Sequence, residues 1–334
     1  MNKRNVLLAA GGLFVVLALI FHGCGSGGGG ASSQLSGPNV SRGVITGFGS
    51  VIVNGIHFDV SNAEVSVEGV SSDVSALKLG MEVTLKSDGQ AASSINATNE
   101  LEGPISGVTG TNTLVVLGQT IKTDAQTVFG NATGTTSLPV GSICEVHGFK
   151  DSAGVIHATR VEVKETPGPS TKVEIKGVVS NLTSSTFKMN GLSVNFATAE
   201  LKDFPAAGIT NGQSVEVKST HGQFDSATST LVAASIEPES ELSASEGEHA
   251  EIQGVVTDYV SQSDFKVNGM TIDASGVTIA GLANDMRVEV EGTVNANGVL
   301  VVTQFKSEQE SESGGDSGGH GGETTDSDHT AARM

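Results

Sequence analysis

The sequence has few aromatic side chains and few cysteines. Its 334 residues include no Trp, one Tyr and two Cys, and aromatic residues make up only 4% of the chain. Binding of single-stranded nucleic acid or sugars by stacking needs aromatic rings, so the composition disfavours both kinds of site. Two cysteines cannot form a disulfide framework if one of them carries a lipid, and the cysteine count alone does not assign a redox compartment.

Basic residues are also scarce. The chain contains 18 Lys and Arg against 37 Asp and Glu, which gives a formal net charge of −19. Such a polyanion repels the phosphates of nucleic acid, and the few basic residues form no continuous stripe. We therefore expect no nucleic-acid partner.

The sequence lacks an apolar run of the length that a membrane-spanning helix needs, about 20 residues. A short basic segment, residues 2–5, precedes 16 uncharged and mostly apolar residues, 6–21. This layout predicts a signal peptide over residues 1–23. Gly23 and Cys24 resemble the lipobox of bacterial lipoproteins, which implies that Cys24 carries a diacylglyceryl group and becomes the mature N-terminus. Cleavage near Gly23 without lipidation and an uncleaved anchor are the alternatives.

The segment after the signal peptide has the composition of a flexible tether. Residues 24–41 are rich in Gly and Ser, which suits a link between a lipid and the first domain. Gly25, and not an acidic residue, follows Cys24; by analogy with enteric bacteria this favours the outer membrane. We expect an exported protein that is attached through its N-terminal lipid to the bacterial outer membrane, on the periplasmic or the cell-surface face.

One pattern occurs four times along the chain. Each copy has a leading glycine in a short apolar segment, a second apolar segment that ends in a turn, and a later segment rich in Val. The leading glycines are Gly43, Gly103, Gly177 and Gly254, which lie 60, 74 and 77 positions apart. The second segment has two apolar positions, and the position between them accepts apolar or charged residues. The first apolar position holds Val51, Leu114, Phe187 and Phe265 in the four copies. The second holds Val53, Val116, Met189 and Val267. A period of two predicts a half-buried strand.

The second segment ends in a strong hairpin signal. Asn-Gly follows it in three copies, at Asn54-Gly55, Asn190-Gly191 and Asn268-Gly269. A type I′ turn needs positive φ at both central residues, which Asn and Gly tolerate. With a leading strand, a fourth strand and a closing strand, each copy has five short strands.

The pattern predicts an all-β chain of four tandem, OB-like, five-stranded barrels joined by short linkers, because closure removes exposed sheet edges. A small β-sandwich is the alternative for each copy. The predicted barrels span residues 42–99, 100–165, 172–237 and 249–306, and a disordered acidic tail spans residues 307–334. Units of this size bury only about 60% of their unfolded surface, so packing between neighbours is expected to add stability.

The first copy carries a family resemblance. The segment from Gly43 to Gly55, with Leu79-Gly80-Met81-Glu82-Val83 after it, resembles the bacterial repeat called domain of unknown function 5666. The resemblance is closest in the first two copies, residues 42–165. Members of this family are envelope proteins with signal peptides and no assigned activity. The resemblance therefore implies a fold and a localisation in the cell envelope, and it adds no active residue.

No catalytic, cofactor-binding or metal-binding residue is predicted, and no cofactor is expected. Cys144 takes the strand position that other copies fill with Val, so we expect a buried thiol that packs as a small hydrophobic group. The segment 315–319 matches the nucleophile motif of trypsin-like serine proteases, but it lies in the coreless tail. The copies carry four histidines that lack the spacing of metal ligands: His57, His147, His157 and His221.

The expected function is that of a non-enzymatic structural or protein-interaction lipoprotein, whose barrels contact a protein or matrix partner through their faces or loops. No copy carries a polar cluster that the others lack. The alternative is an envelope protein that binds a small ligand in one barrel, or a divalent cation in a barrel or in the acidic tail. An enzyme would need carboxylates, or a Ser and a His, that meet in a cleft.

Overall fold

The structure is a computed structural model, and it describes residues 39–164, 166–239, 242 and 244–308. The predicted signal peptide, the lipidation residue Cys24, the protease-like motif and nearly all of the predicted tail lie outside the described residues. Within these residues, no helical segment has the length and hydrophobicity that a membrane crossing requires.

The described chain forms 26 strands in four successive sets, which we call barrels 1 to 4. Barrel 1 contains β1 (Val40–Gly47), β2 (Val51–Val53), β3 (Ile56–Phe58), β4 (Glu64–Val67), β5 (Val70–Ser72), β6 (Glu82–Asp88) and β7 (Ala91–Ala97). Barrel 2 contains β8 (Leu101–Thr109), β9 (Thr113–Val116), β10 (Gln119–Lys122), β11 (Val128–Gly130), β12 (Ile143–Lys150) and β13 (Ile156–Val163).

Barrels 3 and 4 follow the same order. Barrel 3 contains β14 (Lys172–Val178), β15 (Thr186–Met189), β16 (Leu192–Asn195), β17 (Glu200–Leu201), β18 (Ser214–Thr220), β19 (Phe224–Asp225), β20 (Thr230–Val232) and β21 (Ser235–Pro238). Barrel 4 contains β22 (His249–Ser261), β23 (Asp264–Val267), β24 (Met270–Asp273), β25 (Arg287–Val294) and β26 (Leu300–Ser307). Single turns of 3-10 helix lie at Val74–Ala76, Thr135–Ser137 and His221–Gln223.

Barrel 4 shows how a unit closes. Strand β22 pairs with β23 and β25, β23 with β24, and β25 with β26, all antiparallel. The parallel pair β24–β26 completes the ring. Barrel 2 closes in the same way through the parallel pair β10–β13. The predicted all-β, OB-like, five-stranded barrel is therefore confirmed.

Barrels 1 and 3 have the same strand order, with weaker closure. In barrel 1 the third and last strands meet at the single bridge between Asp59 and Ala91. In barrel 3 the first two strands meet at the bridge between Ser180 and Lys188, and the last strand is broken into β20 and β21.

The hairpin turns follow the predicted chemistry at most positions. Asn54 and Gly55 have φ of 53° and 78°, and Asn268 and Gly269 have φ of 48° and 80°. Asn190 also has positive φ, 49°, but Gly191 does not. In barrel 2 Leu117 (49°) and Gly118 (73°) adopt the same conformation without Asn, because packing overrides the local preference. Leu117 is fully buried.

The leading glycines are required by the turn that packs over them. A Cβ atom on Gly43 would lie 1.9 Å from Oδ1 of Asn54, and one on Gly103 would lie 2.4 Å from Cγ of Leu117. Each leading glycine also faces the inward residue of the fourth strand: Gly43 faces Val83, Gly103 faces Cys144, Gly177 faces Val215 and Gly254 faces Val288. This shared register explains why the pattern recurs.

The barrels pair with one another through their first strands. Strand β1 pairs in parallel with β22, so barrels 1 and 4 share a 12-stranded sheet. Strand β8 pairs with β14, so barrels 2 and 3 share a 10-stranded sheet and one hydrophobic core. Val40 of barrel 1 belongs to the core of barrel 4, as does Leu242 of the predicted linker. Edge pairing between barrels covers strands that separate barrels would expose.

We predict that Gly103→Ala destabilises barrel 2 and that Gly107→Ala, in the same strand, does not. A Cβ atom at Gly103 would clash with Leu117, whereas one at Gly107 would have no heavy atom within 4 Å. Overpacking a core costs about 1–3 kcal/mol, so Gly103→Ala should lower the urea midpoint measured by circular dichroism. Equal midpoints for the two variants would contradict the proposed role of the leading glycine.

Candidate functional site

Charged side chains are buried or half-buried where the four barrels meet. We call Arg42, Glu82, Glu100, Lys150 and Lys176 the junction cluster; the first two belong to barrel 1, the next two to barrel 2 and Lys176 to barrel 3. Nε of Arg42 donates to Oε1 of Glu82 at 2.8 Å, and Nζ of Lys150 donates to Oε2 of Glu100. Barrel 4 contributes Asn268, whose Nδ2 donates to Oε1 of Glu82 at 3.2 Å.

In the junction cluster, burial and ion pairing shift the pKa values of the carboxyl groups in opposite directions. Burial tends to raise the pKa of Glu100, but Lys150 and Lys176 outweigh it, so this pKa lies below its usual value. Burial dominates at Glu82, and its pKa is raised despite Arg42. Buried ion pairs add little net stability, but an unpaired partner would be costly. Each ion pair lies within one barrel, so the contacts of the cluster that join barrels are the hydrogen bond from Asn268 to Glu82 and the attraction between Lys176 and Glu100.

A second group of acids lies between barrels 1 and 3. We call Glu68, Glu174 and Glu216 the carboxylate trio; each offers an oxygen, and these oxygens lie within 4.8 Å of one another. Strands β14 and β18 carry Glu174 and Glu216, and Glu68 stands in the turn between β4 and β5. Its φ is 51°, in a two-residue turn with Gly69, where Asn is the usual residue.

Asn99, between barrels 1 and 2, connects two members of the trio. Its backbone N–H donates to Oε1 of Glu68 at 2.5 Å, and its Nδ2 donates to Oε1 of Glu174 at 2.9 Å. Lysines occupy the outer side: Nζ of Lys172 lies 2.7 Å from Oε2 of Glu174, and Nζ of Lys218 lies 2.7 Å from Oε2 of Glu216.

Protonation is shifted within the trio. Burial raises the pKa of Glu68 to about 8, against the opposing effect of Lys176 and with a further contribution from Glu174. Burial also raises the pKa of Glu216. The trio therefore gathers carboxyl groups whose negative charges are costly together.

The histidines of the repeats lie in separate environments. Nδ1 of His147 lies 2.8 Å from the carbonyl oxygen of Thr98, and Nε2 lies 3.0 Å from Oε1 of Glu145. Both ring nitrogens thus face acceptors, and neither is free to bind a metal. His57 contacts Ser50 and His157 contacts Asp151. Among the described residues, the group of potential metal ligands that the fold brings together contains no histidine.

Cys144 is fully buried, as expected from its strand position. Burial raises the pKa of its thiol far above the usual value, with smaller contributions from Glu102 and Glu145. A thiol of this kind is a poor nucleophile.

The described surface has two notable clefts. One of about 660 Å³ lies between barrels 1, 2 and 4, and its lining includes Asp124, Gln253, Arg287 and Glu308. Nε of Arg287 is paired with Oε2 of Glu308 at 3.0 Å, and its guanidinium lies 5.1 Å from the ring centroid of Phe149. The other cleft, of about 520 Å³, lies on barrel 2 between Asn112, Lys122 and His157.

The sequence contains a signal for the buried acids that the repeat analysis missed. Three copies have Glu three residues before the leading glycine: Glu100, Glu174 and Glu251. These side chains are only 8%, 1% and 3% exposed, and each lies at a contact between barrels. The first copy has Val40 at this position, which packs into barrel 4.

Comparison with known families identifies the repeat. The family model described as Domain of unknown function (DUF5666) matches residues 102–162, 176–237 and 253–304. Each matched segment lies within one barrel and begins one residue before its leading glycine. The chain belongs to this family.

The DUF5666 segments differ in one respect from the sequence-based expectation. The resemblance was expected to be closest over residues 42–165; the second copy in this range is matched, but residues 42–99 lie outside the three matched segments. Their assignment as a fourth copy of the family therefore stays a prediction. No curated protein matches the chain.

We predict that Glu251→Gln stabilises the protein at alkaline pH and has little effect at pH 5. Burial raises the pKa of Glu251 to about 8, and Glu289 and Glu291 raise it further. The protonated form contributes stability below the unfolded pKa of 4.5, and this contribution is lost as pH rises through 8. Gln keeps the neutral form, so its advantage should grow from pH 5 to pH 8, by at most about 5 kcal/mol at about 1.4 kcal/mol per pKa unit.

Thermal unfolding at pH 5, 7 and 9 measures this effect, with Glu200→Gln on the exposed edge strand β17 as the control. An unchanged difference between Glu251→Gln and the native protein across this range would contradict a neutral, buried Glu251.

Proposed function

We propose that this DUF5666 protein is a cell-envelope lipoprotein that acts as a non-enzymatic structural or protein-interaction module. The lipid on Cys24 and the Gly- and Ser-rich segment between it and β1 would hold the barrels at the outer membrane. The partner would be a protein or a matrix component, because a net charge of −19 opposes binding to nucleic acid.

The observation that supports an interaction role is an exposed apolar residue near the first hairpin turn of barrel 1 and of barrel 4. The residues at the position of Phe48 in the other barrels, Val108, Leu182 and Tyr259, are half-buried against their barrel cores. Phe48 is 47% exposed, and Val260, the residue after Tyr259, is 74% exposed. Large apolar side chains at loop tips are typical contact residues in protein interfaces.

The shared sheets add a physical reason for this role. Because β1 pairs with β22 and β8 with β14, barrels 1 and 4 hold their hairpins on one shared sheet, and barrels 2 and 3 on another. Binding of one partner to two tips would then cost this protein less conformational entropy than it would if the barrels were loosely tethered.

One experiment tests the membrane localisation and the protein interaction together. The native protein, Cys24→Ala and the double variant Phe48→Ser, Val260→Ser are expressed in the source bacterium with an acyl label, fractionated and crosslinked in the cell. We expect Cys24→Ala to lose the label and leave the membrane fraction. The double variant should stay acylated but lose crosslinked partners.

Val140→Ser is the matched control, because Val140 is 63% exposed but lies outside the hairpin tips. A native protein without an acyl label would refute lipid anchoring. Crosslinks that persist in the double variant would refute the hairpin tips as the contact surface.

A further inference from the structure

The larger cleft lies where barrels 1, 2 and 4 meet. Its volume of about 660 Å³ is in the range of pockets that hold small organic ligands. Barrels 1 and 2 give it apolar walls, which are formed by Val44, Ile45, Leu79, Val128 and Ala158. The apolar body of a ligand would therefore be buried between these two barrels.

Hydrogen bonds between barrels fix the walls of this cleft. Oγ1 of Thr159 in barrel 2 donates to the carbonyl oxygen of Gly80 in barrel 1 at 2.7 Å. The backbone N–H of Val44 in barrel 1 donates to Oε1 of Gln253 in barrel 4 at 3.1 Å. A ligand would thus enter a cleft that is already formed, and its binding would order few groups of the protein.

Barrel 4 forms the polar end of the cleft, where the guanidinium of Arg287 has donors without a protein partner. This group lies 5.1 Å from the ring centroid of the buried Phe149, a contact that limits its movement. Its Nε is buried and makes no hydrogen bond within the described chain, although Oε2 of Glu308 is 3.0 Å away. The two Nη groups also make no hydrogen bond to the described residues, and the side chain is 22% exposed. Their N–H groups are therefore open to a ligand.

The same end of the cleft already holds a carboxylate of the protein. Nε2 of Gln253 donates to Oε1 of Glu308 at 2.5 Å, and Oε2 of Glu308 faces Arg287. Glu308 directly follows strand β26, and its side chain is 32% exposed. Arg287 and Gln253 thus form a place that accepts a carboxylate, next to N–H groups that Glu308 leaves unpaired.

We propose that this cleft binds a small organic monocarboxylate with an apolar body. The carboxylate would accept two parallel hydrogen bonds from the guanidinium of Arg287, the geometry in which these two groups bind most strongly. The body would pack on the apolar walls of barrels 1 and 2. Asp124 and Glu308 also line the cleft and disfavour a second negative charge, which excludes phosphates and dicarboxylates. Such binding requires neither the lipid on Cys24 nor the hairpin contacts.

Isothermal titration calorimetry of the full mature chain tests this binding. The probes are hexanoate, benzoate and N-acetylleucine, each beside its neutral primary amide. At least one acid should bind saturably with a Kd below about 1 mM, and its amide should bind about tenfold more weakly or not at all. Arg287→Gln should weaken binding of that acid about tenfold or more, because it removes the charged donor. Glu308→Gln removes a competing negative charge and should strengthen binding about threefold.

Lys306→Gln is the matched control, because it also removes one positive charge from barrel 4 but lies outside the cleft, in a pair with Glu289. It should leave the affinity unchanged, and thermal unfolding shows whether Arg287→Gln stays folded. Heats that do not saturate for any of the acids up to about 10 mM would overturn the proposal. Equal binding by the native protein and a folded Arg287→Gln variant would also overturn it, because the carboxylate would then be held elsewhere. Should that variant not fold, an unchanged affinity in Glu308→Gln would overturn the proposal in the same way.

Discussion

Pairing between the first strands of different barrels is the constraint on which the rest of this structure depends. A closed five-stranded barrel of about 60 residues buries too little surface to be robust alone. Strands β1 and β8 solve this by pairing outward, with β22 and β14, while they remain part of their own barrels. The outer faces of these strands thereby become interior, although they carry charged side chains.

The buried charges follow from this arrangement. A residue that points out of one barrel meets a neighbouring barrel and not water, so each carboxylate there needs a partner. Glu82 has Arg42, and Glu100 has Lys150. The trio and Glu251 are compensated less completely, and burial raises the pKa of Glu68 and of Glu251 to about 8. The polar contacts that cross between barrels, Asn268 with Glu82 and Asn99 with Glu174, favour this docking, because an apolar neighbour would leave those carboxylates with fewer partners.

The fold within each barrel could be predicted from the sequence, since it depends on short-range rules. Alternating apolar positions placed Phe187 and Phe265 inside, and both are buried. The contacts between barrels could not be predicted in this way. The parallel pairing of Ser41 with Glu251 joins residues about 210 positions apart, and no local pattern specifies it. The turn at Glu68-Gly69 shows the same limit, because its Glu serves a contact with barrel 3 and not the turn itself.

Differential scanning calorimetry of the mature protein tests most directly whether the barrels form one body. Shared sheets and the junction cluster predict a single heat-capacity peak, with equal calorimetric and van't Hoff enthalpies. Resolved peaks for separate barrels, or a calorimetric enthalpy several times the van't Hoff value, would contradict the account.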